Sequence, residues 1–153
     1  MTVPTARIAR SHDVTTALVA LAIGADPFVG LRRRAGFAEL VAHQQPVDAV
    51  MRRVGPVLAV ASAATGLAAA AAARRDPVEA GLRAASALAV AGAVVLTVRV
   101  HVPINEQLRS WTPEVEVSGW RETWGTWERA HLVRRALVAV AGALVAAASA
   151  RRR

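Results

Sequence analysis

The sequence predicts an all-α chain folded as a four-helix transmembrane bundle. Three observations carry that expectation. Four long runs are almost free of charge, and the polar residues collect in the connectors between them. Hydrophobic residues make up 54% of the 153, a high share for a water-soluble domain, and the mean hydropathy is +0.35. A soluble bundle needs a polar stripe along each helix, and these runs have no such stripe. The length supports one domain. The expected division is an N-terminal tail over 1–13, a membrane domain over 14–150 and a basic C-terminal tail over 151–153.

The first run, Val14 to Leu31, is apolar except for Asp26, which Pro27 follows. Val54 to Ala73 is 20 residues without a charge, long enough for a helix to cross a bilayer. Ala84 to Val98 and Ala136 to Ala150 are 15 charge-free residues each. Arginines at their ends extend them, because long basic side chains reach back to the interface. Each run is rich in Ala, so a run such as Val54 to Ala73 gains only about 2 kcal/mol on insertion. The N-terminal "MTVPTARIARSHD" shows no cleavage pattern, so the first span is expected to be retained, with the dozen residues before it loose.

The net charge is +8, carried wholly by Arg because Lys is absent. The arginines sit in clusters between apolar runs, which reads as membrane flanks and excludes a nucleic-acid-binding stripe. Without Cys, disulfide and thiolate chemistry are excluded. No Ser/His/Asp set, phosphate loop or dinucleotide fingerprint is present. Four spans put both termini and the turn Ala73 to Arg83 on one side. That side carries Arg7, Arg10, Arg74, Arg75, Arg83 and Arg151 to Arg153. Basic residues mark the cytoplasmic side, so the expected location is a bacterial plasma membrane with both termini inside. The expected partners are the lipid bilayer, a hydrophobic aromatic small molecule and O₂; a homo-oligomer is compatible with the pattern.

The other end collects the unusual chemistry: "ADPF", "ELVAHQQPVDAVMRR", "RVHVPINEQLRSW" and "WRETWGTWERAHLVRR". His43, His101 and His131 lie there, and only His12 lies elsewhere. Pro103 would clash with the carbonyl of Arg99 inside a helix, so span three should kink or end there. Trp120, Trp124, Trp127, His131 and Arg134 follow offsets of 4, 3, 4 and 3. That spacing is one face of a single helix, starting near Ser118 or Gly119 and running into span four. It reads either as an interfacial Trp belt with Arg anchors or as an aromatic wall leading to a titratable His and a cation. A metal centre is an alternative, with His43, His101 and His131 joined by Glu39 or Glu106. No HxxxH or HExxH spacing supports it, and no cofactor is predicted. A non-enzymatic membrane subunit or small-molecule carrier is a further alternative.

"VPINEQLRSW" followed by "WRETWGTWERAHLVRR" and an apolar helix resembles the anthrone oxygenase-like family of small four-helix membrane proteins. The matching positions are Pro103, Ile104, Asn105, Leu108 and Trp111, then Trp120, Arg121, Trp127, His131 and Arg134. "VDAVMRRVGPVLAVASA" is also similar. The likeness extends over residues 14 to 150, and Asp26 to Gln45 departs most. It implies an oxygenase that converts an anthrone to an anthraquinone with O₂. Such chemistry needs a base for an activated C–H and donors for the enolate. His131 is the first choice for the base, with His101 next; imidazole titrates near neutral pH. Asn105 and Arg134 would hold the developing oxyanion, together with Arg121. Trp111, Trp120, Trp124 and Trp127, with Arg99, would bind a flat polycyclic substrate. All these groups are expected around one cavity.

Overall fold

The structure, a computed structural model, describes residues 3–24 and 35–152. Asp26 and Pro27, and Arg32 to Arg34, lie outside the described residues, as does the end of the first expected span. Every regular element among the described residues is helical: α1 (Val3–Gly24), α2 (Phe37–Ala72), α3 (Pro77–Leu96), α4 (Val102–Arg109) and α5 (Trp120–Ala150). A π-helical turn, Thr97–His101, joins α3 to α4 without a break.

The first helix begins at Val3, not near Val14, so the expected loose tail is helix. Ala9, His12, Thr16 and Val19 are buried at helical spacing, which gives the middle of α1 an inward face. It packs antiparallel on α2, where Thr15 Oγ1 lies 2.8 Å from Thr65 Oγ1. Gly66 permits the close approach. A Cβ there would lie 2.9 Å from Ala87 Cβ and 3.1 Å from His12 Nε2.

The second helix has 36 residues, about 54 Å at 1.5 Å per residue, well beyond a hydrocarbon core of about 30 Å. The charge-free run is its second half, and its first half carries polar residues towards the site. Asp76 caps α3: its carboxylate accepts from the backbone N–H groups of Val78 and Glu79, both at 3.0 Å. The Glu79 N–H bond leads in holding the Asp76 carboxyl below its ordinary value of 3.8. Pro77 at the first helical turn loses no hydrogen bond.

Pro103 acts as expected, but its effect appears one turn earlier. Proline has no N–H and its ring crowds the carbonyl four residues back. Widening the preceding turn to a π turn absorbs that conflict, so the Val102 N–H reaches the carbonyl of Thr97. The chain stays helical to Arg109. Gly119, at φ +76°, is the left-handed residue that starts α5; an L side chain would be strained there.

Polar side chains gather at the two ends of the bundle. At the end holding the N- and C-terminal helix ends, fully buried Arg83 donates to Glu79 at 2.9 Å, to Asp13 at 3.0 Å and to His12 Nδ1 at 3.1 Å. Arg152 closes on Glu79 at 3.0 Å and Asp13 at 3.6 Å. Val19, Ala93 and Val138 form an apolar layer in the middle. Beyond it, Phe37, Leu40, Val41, Ile104, Leu108 and all four tryptophans make a second apolar cluster.

Three helical stretches are long and apolar enough to cross a membrane: Phe37–Ala72, Pro77–Arg109 and Trp120–Ala150. Their large apolar side chains point outward, with Leu88, Val60 and Val57 each about two-thirds or more exposed. Such surface suits lipid, and the chain is a membrane protein built as an all-α bundle. Among the described residues α1 does not qualify as a span; it is bound to the others through its polar face.

Candidate active site

The site forms where the π turn and α4 meet the first four turns of α5. Four successive turns of α5 present Trp120, Trp124, Trp127 and His131 inward, all buried. Trp124 and Trp127 stack with ring centres 4.5 Å apart and planes 11° off parallel. Trp127 and His131 continue the stack at 4.9 Å and 16°. His101, on the π turn, meets Trp127 edge-on at 5.0 Å and His131 at 6.2 Å.

Hydrogen bonds lock this stack. Trp127 Nε1 donates to Asn105 Oδ1 at 2.9 Å. Asn105 Nδ2 donates to Asp48 Oδ1 at 2.8 Å, so both ends of its amide are engaged. Arg134 donates to Thr97 Oγ1 at 3.2 Å and meets His131 Nδ1 at 2.7 Å. A guanidinium has no lone pair to offer, so His131 Nδ1 accepts, and the neutral ring carries its proton on Nε2. His131 thus presents a donor at Nε2. His101 differs. It is 1% exposed, and neither ring nitrogen is hydrogen-bonded to a side chain among the described residues; the backbone of Leu96, five residues back, is the polar group that the ring meets.

The structure therefore brings together His101, Asn105, Trp124, Trp127, His131 and Arg134. Trp111 and Trp120 belong to the adjoining apolar cluster and pack on Phe37 at 5.5 and 5.6 Å. Arg121 is exposed, with its guanidinium 4.4 Å over the Trp120 ring. Arg99 is exposed and does not join the group: the π turn that turns His101 inward leaves Arg99 facing out. The expected common cavity is instead a packed set of rings. Beside it lies an open groove of about 460 Å³, lined by Ala35, Trp120, Arg121, Trp124, Gly125, Glu128, Arg129 and Leu132.

The alternative metal set is not assembled. Glu39 and Glu106 are exposed, and among the described residues no three His, Asp or Glu side chains converge.

Two residues escaped the sequence reading. Asp48, 5% exposed, accepts from Asn105 and also pairs with Arg109 at 3.2 Å and Arg52 at 3.1 Å. Gln45 Nε2 donates to the carbonyls of Leu108 and Trp111 at 3.0 and 2.9 Å, fastening the end of α4. The signal for both was present: "HQQPVDAV" spaces Gln45 and Asp48 three apart, on one helical face.

No curated protein and no solved structure matches the chain. The family model that does match is that of anthrone oxygenase, over residues 47–145. That stretch is about two-thirds of the chain and holds Asp48, His101, Asn105, the Trp stack, His131 and Arg134. With its apolar helices and the match over most of its length, this chain belongs to the anthrone oxygenase family.

Proposed function

We propose that the protein is a membrane-embedded oxygenase that oxidises an activated C–H of a polycyclic aromatic, polyketide-like substrate with O₂, as in the conversion of an anthrone to an anthraquinone. The observation that carries this reading is the buried pairing of His101 with a His131 that Arg134 fixes as a donor, both against the Trp127 ring. A base and an oxyanion site thus adjoin an aromatic platform. The bilayer supplies the phase in which such a substrate dissolves, and the groove beside Trp120 and Trp124 gives a flat molecule a way to the stack.

The reaction follows from these groups. The lone-pair nitrogen of the neutral His101 ring takes a proton from the methylene carbon opposite the ketone. The electron pair moves onto the ketone oxygen, where Arg134 and His131 Nε2–H stabilise the enolate. The carbanionic carbon then adds O₂ after electron transfer, forming a C–O bond and a peroxide, which takes back the proton from His101. Loss of the second C–H proton with O–O cleavage leaves the second carbonyl and releases water. One O₂ is consumed and one water is formed per substrate.

The test is purified protein in detergent or nanodiscs with an anthrone, following quinone absorbance and O₂ uptake together. Wild type should form quinone and consume O₂ in equal amounts. Loss of a positioned base costs about 10²- to 10⁴-fold in rate, so His101→Ala should nearly abolish turnover. His131→Ala, which removes a donor, should cost about 10²- to 10³-fold in kcat. Full activity in both well-folded variants would defeat the reading.

A further inference from the structure

We infer that Asp48 is a positioning residue for this site: its carboxylate sets the amide of Asn105, and through it the orientation of Trp127 on which both histidines pack. This rests on the oxygenase reading above.

An asparagine amide has two ends that differ in chemistry but hardly in shape. It can be turned over at little steric cost, and its neighbours decide which way it faces. Here the two ends meet opposite demands. Trp127 Nε1 is a donor only, so it needs the oxygen of Asn105, 2.9 Å away. Asp48 is an acceptor at the other end, 2.8 Å from Asn105 Nδ2. The carboxylate on one side and the indole N–H on the other therefore specify a single orientation.

Asp48 is itself fixed. Its second oxygen receives Arg109 at 3.2 Å and Arg52 at 3.1 Å. One cation comes from α4 and the other from the next turn of α2, so the carboxylate ties the two helices at the height of the site. Bonds to an ionised acceptor are about twice as strong as neutral ones, which suits a group that must hold an amide against inversion. The consequence reaches the histidines. Trp127 stacks on His131 and abuts His101, so a rotated indole displaces the surface that orients both rings. A misplacement of about 1 Å in a positioned site can cost about 10²-fold in rate.

Removing Asp48 should leave the fold standing. Arg52 and Arg109 are 54% and 33% exposed and can return to water, so no buried cation is stranded. The experiment compares wild type with Asp48→Ala, Asp48→Leu and Asp48→Asn. The first readout is the hydrogen-bond-sensitive indole band in ultraviolet resonance Raman, assigned to Trp127 by difference against Trp127→Phe. The second is kcat and KM for anthrone oxidation.

In Asp48→Ala, and in Asp48→Leu, which fills the volume without an acceptor, the Trp127 band should move to that of a weakened hydrogen bond. The kcat should fall at least about tenfold, with a smaller change in KM. Asp48→Asn keeps a carbonyl for Asn105, so it should restore the band and recover most of the lost kcat. An unchanged band in both Asp48→Ala and Asp48→Leu overturns the proposal. So does a shifted band with wild-type kcat. If wild type oxidises no anthrone, the oxygenase reading falls and the Raman band alone decides whether Asp48 positions Trp127.

Discussion

Replacing Arg83 with Met tests whether the two polar ends of the bundle are independent. The guanidinium is fully buried and bridges Glu79, Asp13 and His12. Breaking a buried ion pair by deleting one partner costs about 3–5 kcal/mol, because the other charge is left in a poor solvent. Two features lower that figure here. Arg152 remains within 3.0 Å of Glu79 and 3.6 Å of Asp13, and Asp13 is 31% exposed. Met also fills much of the space that Arg leaves. We therefore expect a loss of about 2–3 kcal/mol, which for a chain of this size lowers Tm by about 5 to 10 °C. The assay is thermal unfolding of Arg83→Met in nanodiscs by far-UV circular dichroism, together with the indole Raman spectrum at ambient temperature. All four tryptophans lie beyond the layer of Val19, Ala93 and Val138, so the Trp127 band should stay that of wild type. An unchanged Tm would show that the cluster contributes no net stability. A shifted Trp127 band would refute the insulation by the apolar layer.

Two other outcomes follow from the packing and the topology. Gly66→Ala should destabilise by about 1–3 kcal/mol through overpacking, since its Cβ would lie 2.9 Å from Ala87 Cβ. Gly81→Ala, with nothing within 4 Å, should instead be neutral or stabilising by up to about 1 kcal/mol; the same melts decide, and equal effects would sink the argument. Because the chain has no native Cys, single cysteines at exposed Arg75 and Ser118 should react with an impermeant thiol reagent from opposite faces, Arg75→Cys from the cytoplasm. Labelling of both from the same face of intact cells would end the spanning model.

Local features of the chain were legible where the determinants lie within a turn or two of one another. The Trp120–Arg134 spacing and Gly119 announced the face and the start of α5, and Pro103 announced a disturbance. What escaped depends on partners far along the chain. His12 and Asp13, in the stretch of α1 expected to be loose, are held by Arg83, some 70 residues on. Asp48 and Gln45 become intelligible only when α4 arrives, 57 and 63 residues later. The contact that makes His131 a donor had a similar cause. Arg134 at i+3 from His131 was visible in the sequence, but which nitrogen it meets is a matter of rotamers. Arg99 was grouped with the site by its place in the chain, and the wide turn that contains it set it outside.

The π turn has a consequence for how this site could be built or lost. A π turn holds one residue more than the α turn it replaces and still closes a single turn, so the residues after it keep the frame that a plain α-helix one residue shorter would give them. Deleting one residue between Thr97 and His101 would let the turn close as α-helix while Asn105 stays on Asp48 and Trp127, and Ile104 and Leu108 stay in the apolar cluster. Only the wide turn itself, which carries His101 inward, would be remade. Deleting one residue between Val102 and Asn105 would instead rotate the rest of α4 by about 100° and draw it back by about 1.5 Å, taking Asn105 from Asp48 and Trp127. The same loss of one codon is thus absorbed on one side of His101 and dismantles the site on the other.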